Sequence, residues 1–138
     1  MPSINDCTVA DLMTKTLHLV KESISLADAI ALMVRDKASS LIVEKSHDKD
    51  AFGIITRKDI VMEAAENWSG FATLKVHDLA TKPAISIQSS VGIKHAIRLM
   101  RLVGVRRLLV THGEQLVGIL SNTDIFGQIA SEVGAAGK

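Results

Sequence analysis

The sequence predicts a mixed α/β (α+β) fold built from one β-α-β-β-α unit used twice, and three observations carry that prediction. Val9, Asp11, Leu12, Thr14 and Lys15 recur as Val76, Asp78, Leu79, Thr81 and Lys82, an offset of 76 − 9 = 67 residues. At the same offset Ala29, Ile30, Leu32 and Met33 match Ala96, Ile97, Leu99 and Met100, while Leu41 and Val43 match Leu108 and Val110. The runs Gly53-Ile54-Ile55-Thr56-Arg57-Lys58-Asp59 and Gly118-Ile119-Leu120-Ser121-Asn122-Thr123-Asp124 form the third pair, at 118 − 53 = 65. Two extra residues in the polar loop Ser46–Asp50 account for the change of offset. Self-similarity over this length means one structural unit repeated, and a unit of about 60 residues is marginal alone.

In the first copy, Val9 to Met13 reads as a short helical lead-in and Leu17 to Val20 as a brief strand. Ser25, with Asp28 three residues on, opens a helix whose Leu26, Ala29, Ile30, Met33 and Val34 share one face. Ser40 to Glu44 and Ala51 to Thr56 form a hairpin around the polar loop, and a helix follows from Arg57 to about Glu66 with Ile60, Val61, Ala64 and Ala65 inward. The second copy repeats the scheme: strand at Ala84 to Ile87, helix at Val91 to Val103, strands at Val105 to Thr111 and Gln115 to Leu120, helix from Asn122 to about Val133. The expected division is 1–66, a linker at 67–75 containing Trp68 and Phe71, a second copy at 76–134 and a flexible tail at 135–138.

Composition narrows the function. Hydrophobic residues make up 47 % and aromatics only 3 %, so the core is aliphatic and base-stacking platforms are lacking. A net charge of +1 argues against a phosphate-backbone footprint, so no nucleic-acid partner is expected. No apolar run approaches the roughly 20 residues of a membrane span, and the N-terminus does not read as a signal peptide. A cytoplasmic location is expected, with Cys7 a bystander thiol near a loose end. The five histidines are scattered without metal-ligand spacing, and no metal site is expected. No Walker loop or nucleophile–base set stands out, so the chain does not read as an enzyme.

The chemistry concentrates at Thr56/Asp59 and Ser121/Asp124, each a hydroxyl at a strand end with an acid three residues on. That spacing is a capping box, and the helix start it creates presents backbone N–H groups with partial positive charge. An anion can be held there while the carboxylate accepts from a diol. Capping alone explains one such pair; two in matching surroundings shift the balance toward a ligand.

The ordered set, twice over Val9–Val61 and Val76–Phe126, resembles a tandem pair of cystathionine-β-synthase (CBS) domains, a Bateman module. The resemblance implies two copies packed sheet to sheet with pseudo-twofold symmetry. It also implies clefts for an adenosine nucleotide (AMP, ADP or ATP), or S-adenosylmethionine in some members, and no other cofactor. Asp59 and Asp124 match the position that holds the ribose hydroxyls, and Thr56 and Ser121 the nearby hydroxyl. Thr14 and Thr16, and Thr81, Lys82, Pro83 and Ala84, match the segment lining the adenine and ribose pocket, largely through backbone. Arg57 makes the first motif basic where Asn122 leaves the second neutral. Arg106 and Arg107 occupy a phosphate-facing position; strand alternation lets at most one look into a given cleft, and the first copy has Ser39-Ser40 in register. The expected function is a regulatory module that senses an adenosine nucleotide, forms a homodimer and signals to a partner protein. The alternatives are a ligand-free interaction scaffold or an S-adenosylmethionine sensor.

Overall fold

The computed structural model of the chain describes residues 3–134. The tail expected at 135–138 lies outside the described residues. The elements are α1 (Val9–Leu12), β1 (Leu19–Val20), α2 (Leu26–Asp36), β2 (Ser40–Val43), β3 (Gly53–Thr56), α3 (Arg57–Glu66), α4 (Val76–Leu79), β4 (Ser86–Gln88), α5 (Ile93–Val103), β5 (Arg107–His112), β6 (Gln115–Ser121) and α6 (Asn122–Glu132). Short 3₁₀ turns at Ile4–Asp6 and Phe71–Thr73 complete the set. Two three-stranded sheets result, ordered β1-β2-β3 and β4-β5-β6. In each, the first pair is parallel and the second antiparallel, so the repeated sequence yields a repeated topology.

Packing divides the chain at other places than the repeat. One compact unit is 17–84, and the other joins the residues up to Thr16 to those from Ile85 onward. The lead-in of each repeat thus belongs with the sheet of the other. In the 17–84 unit, Val76 is fully buried among Leu26, Met33, Leu41, Val43 and Ile55. In the second unit, Val9 is likewise buried among Ile93, Met100, Leu108, Val110 and Leu120. Each fully buried side chain of this size contributes about 1.5–3 kcal/mol. Ile42 and Leu109, between these core residues along their strands, are also buried, which alternation places on the opposite sheet face. Both central strands are therefore apolar on both faces.

Capping sets the helix starts. Ser25 accepts from Asp28 N at 3.0 Å. At its repeat counterpart Gly92 has no side-chain cap, and α5 still begins at Ile93, the position equivalent to Leu26 and two residues later than expected. Lys37 ends α2 in the left-handed region at φ 52°, where the equivalent residue after α5 is Gly104 at φ 79°.

Several burial expectations are corrected. Cys7 is 3 % exposed and sits in an apolar core, its carbonyl accepting from Ile93 N at 2.9 Å, and burial pushes its thiol pKa up. Val34 (73 %) and Val61 (64 %) are exposed rather than inward, and so is Ala65. A ten-residue helix lying on a three-stranded sheet offers room for about one stripe, and Ile60 takes it. Ile60 and Ile125 are correspondingly buried, while Val61 and Met62 on α3 and Phe126 and Ile129 on α6 are exposed. Phe71 packs against the 17–84 core while Trp68 stacks on it at 5.3 Å and stays exposed.

Candidate functional site

Each unit gathers one set of the candidate residues. In the unit containing α6, Ser121 is the last residue of β6 and the N-cap of the helix. Its hydroxyl accepts from Asp124 N at 3.2 Å, while the Asp124 carboxylate accepts from Ser121 N at 3.0 Å and from Ser121 Oγ at 3.0 Å. The Thr14 hydroxyl reaches the same carboxylate, 3.3 and 3.5 Å from its two oxygens. These long contacts are weak, so a ligand hydroxyl could replace Thr14 at little cost. Thr14 is brought there by an antiparallel bridge to Ile119, with N–H···O distances of 2.8 and 3.0 Å. Thr16, two residues on, is exposed.

The adjacent arginines separate. Arg107 pairs with Ser121 across the β5–β6 ladder, and cross-strand partners project from the same face. Arg106 instead lines a groove between α5 and α6, as does Asn122. Of the two cations, Arg107 therefore shares the side of Ser121 and Asp124.

The 17–84 unit builds the equivalent set with different chemistry. Asp59 accepts from Thr56 N at 2.8 Å and its own N–H donates to Thr56 Oγ1 at 3.2 Å. Thr81 bridges Ile54 through two 2.9 Å bonds, and Ala84 N donates to Phe52 O at 2.8 Å. Opposite Thr56 stands Ser40, where the other unit has Arg107 opposite Ser121. Arg57 turns away, its Nε donating to Ala38 O at 3.1 Å beside the groove between α2 and α3.

Lys82 points elsewhere too. Its ammonium donates to Asp50 at 2.5 Å, to Glu22 at 3.0 Å and to Glu44 O at 3.3 Å. The Lys82 bond, followed by hydrogen bonds from Ser46 N–H and Oγ, holds the Asp50 carboxyl well below its ordinary range, while Asp50 first and Glu22 after it push Lys82 up. Sequence reasoning missed Glu22 and Asp50. The signal was the two-residue excess of the Ser46–Asp50 loop, which ends in Asp50. Pro83, exposed, follows a cis peptide bond.

A second missed feature explains the motif glycines. A Cβ on Gly53 would lie 2.9 Å from Thr81 O, and one on Gly118 would lie 2.6 Å from Met13 Sδ and 3.0 Å from Thr14 O. The lead-in backbones cross the strands at these two points. A glycine inside an otherwise apolar strand is the signal for such an approach.

The chain is similar to several known proteins. The structure of a hexameric CBS-CP12 protein from bloom-forming cyanobacteria is 32 % identical with a TM-score of 0.83, covering 88 % of this chain and 71 % of that one. CBSX2, solved in complex with AMP, is 30 % identical with a TM-score of 0.72, covering 91 % and 97 %. An uncharacterized protein of Methanopyrus kandleri is 27 % identical over 97 residues, covering 70 % of this chain and 50 % of that protein. A homoserine O-acetyltransferase of Methanosalsum zhilinae is 30 % identical over 123 residues, covering 88 % and 24 %. The chain thus spans half of the first of these two relatives and about a quarter of the second. The CBS domain profile matches residues 9–66 and 76–131, on two sheets of matching topology that each end in a hydroxyl-and-aspartate helix start, and the chain belongs to the CBS domain family as a tandem pair.

Proposed function

We propose that this CBS pair is a regulatory module that binds an adenosine nucleotide and passes its occupancy to a partner protein. The observation that carries the reading is the convergence of Thr14, Ser121 and Asp124, with Arg107 on the same side. A carboxylate fit for a ribose diol then stands beside a cation fit for a phosphate. AMP bound to a 30 % identical relative supports the ligand class. Ser40 in place of an arginine makes the Asp59 set the poorer phosphate site, so the two sets differ in affinity.

Binding to the folded state alone stabilises by RT ln(1 + [L]/Kd), about 2.7 kcal/mol at a hundredfold excess over Kd. The test is a thermal-shift series with AMP, ADP, ATP and S-adenosylmethionine, alongside mass spectrometry of small molecules released from purified protein. A nucleotide should raise the melting temperature, and Asp124→Ala should weaken it by roughly tenfold or more, with a smaller loss from Asp59→Ala. A shift with S-adenosylmethionine alone would transfer the site to that ligand.

The scaffold reading has one observation in its favour: Ser121 and Thr14 already satisfy much of the Asp124 carboxylate. No shift with any of the four compounds at millimolar concentration would establish it. Self-association through the exposed Val34 and Val61 side chains belongs to either reading, and the CBS-CP12 relative is hexameric.

A further inference from the structure

One ammonium ties together the ends of all three strands in the 17–84 sheet. Lys82 Nζ donates to Glu22, just past β1, at 3.0 Å and to Glu44 O, just past β2, at 3.3 Å. Its third acceptor is Asp50, at 2.5 Å, in the loop that leads into β3. The Asp50 carboxylate also accepts from Ser46 N and Ser46 Oγ, both at 2.8 Å, which closes the loop around it. The side chains of Lys82 and Asp50 are each 18 % exposed, so solvent screens the pair only in part. The lysine stem passes over the motif glycine: a Cβ on Gly53 would lie 3.3 Å from both Cβ and Cγ of Lys82. On either side of this crossing the segment is bonded by backbone, Thr81 to Ile54 and Ala84 to Phe52. The other repeat supplies a comparison. Lys15, the counterpart of Lys82 at the offset of 67, is exposed and in no ion pair among the described residues.

We propose that Lys82, Asp50 and Glu22 are positioning residues for the nucleotide at the Asp59 set: they hold the Thr81–Ala84 segment against the strand that ends in Thr56, without touching the ligand. The inference rests on the nucleotide half of the proposed function. The Thr81–Ile54 bridge sits two residues before Thr56, as the Thr14–Ile119 bridge sits two before Ser121. In that second case the bridged segment brings a hydroxyl to the Asp124 carboxylate, so its placement bears directly on the site. A lysine that gripped phosphate itself would keep its ammonium free. Here the ammonium is committed to two carboxylates and a carbonyl, and one cation against two anions repels a phosphate. Shielded ion clusters add little net stability, and their use lies in selecting one arrangement. A segment that held its bonded arrangement only about a tenth of the time would lower apparent affinity about tenfold.

The test is isothermal titration calorimetry of the full chain with adenosine and with AMP, in an Asp124→Ala background that leaves the Asp59 set to be read. Lys82→Met and Asp50→Asn should each weaken both compounds by about tenfold and leave their ratio unchanged. Lys15→Met should weaken neither. Amide hydrogen exchange followed by NMR gives a second reading. Thr81 and Ile54 should exchange at least about tenfold faster in Lys82→Met, while Ile42, on the central strand of the same sheet, keeps its rate. The proposal is overturned if Asp50→Asn tightens AMP relative to adenosine, the mark of a lysine released onto phosphate. It is also overturned if Lys82→Met leaves the affinities or the two exchange rates unchanged. Ile42 accelerating in step with Thr81 would overturn it as well, making the cluster a general staple of the unit. An Asp124→Ala chain that binds neither compound, beside a parent that binds AMP, overturns this inference and leaves the proposed function standing. A parent that binds neither overturns both.

Discussion

Gly53 and Gly118 show how a single missing side chain fixes a path for the backbone. Gly53→Ala drives a Cβ to within 2.9 Å of a carbonyl oxygen that cannot move without breaking the Thr81–Ile54 bridge. Alanine lowers the entropy of the unfolded chain by about 0.4–1 kcal/mol, and overpacking of about 1–3 kcal/mol outweighs it. A urea melt of Gly53→Ala should therefore show a net loss, larger than that of Gly118→Ala, where part of the clash falls on the flexible Met13 thioether. Lys37 makes the converse case. A left-handed residue other than glycine costs about 1–2 kcal/mol, while glycine restores about 0.4–1 kcal/mol of unfolded-state freedom. Lys37→Gly, which copies Gly104, should raise stability by about 0.5 kcal/mol in the same assay. The Lys82–Asp50 pair carries a pH signature. A depressed carboxylate stabilises the fold above its unfolded pKa of about 3.9 and loses that effect as the pH falls toward its folded value. A raised lysine contributes below about 10.4 and is lost as pH rises through its folded value. Asp50→Asn should therefore melt below the parent at neutral pH, with the gap closing as the pH is lowered below about 4.

At the scale of elements, local chemistry decided what the sequence could tell. The offset of 67, the capping boxes and the apolar hairpin strands are short-range patterns, and α3 and α6 start where Thr56 and Ser121 place them. Ends governed by pairing were less legible. β1 is only Leu19–Val20 because those two residues alone find partners, Ile42 and Val43, on the neighbouring strand. The inward stripe of α3 was over-read because alanine and valine spacing does not say how wide a face the sheet will cover. Alternation alone leaves Arg106 and Arg107 interchangeable, and the register that starts β5 at Arg107, opposite Ser121, separates them. Cys7, judged by its nearness to a terminus, lies in a core because residues 3–16 are packed, with Val9 N donating to Val91 O at 2.8 Å. Nothing along the chain announces a contact made with residues more than 80 positions away.

For the molecule as a whole, the division into 17–84 and its complement bears on every attempt to cut it. A fragment of residues 17–84 keeps Val76 in its core and the Thr81–Ile54 bridge, whereas 1–66 loses both. Circular dichroism of the two fragments should show a cooperative thermal transition for the first and a broad or absent one for the second. No helix among the described residues is long and apolar enough to cross a membrane. The exchange of lead-ins also constrains descent. A solitary ancestral repeat could complete its core only by trading its leader with a sister molecule, in the manner of a domain-swapped dimer whose abundance follows dilution. With both leaders in one polypeptide, each is held at an effective concentration on the order of millimolar, so assembly is a first-order event independent of dilution.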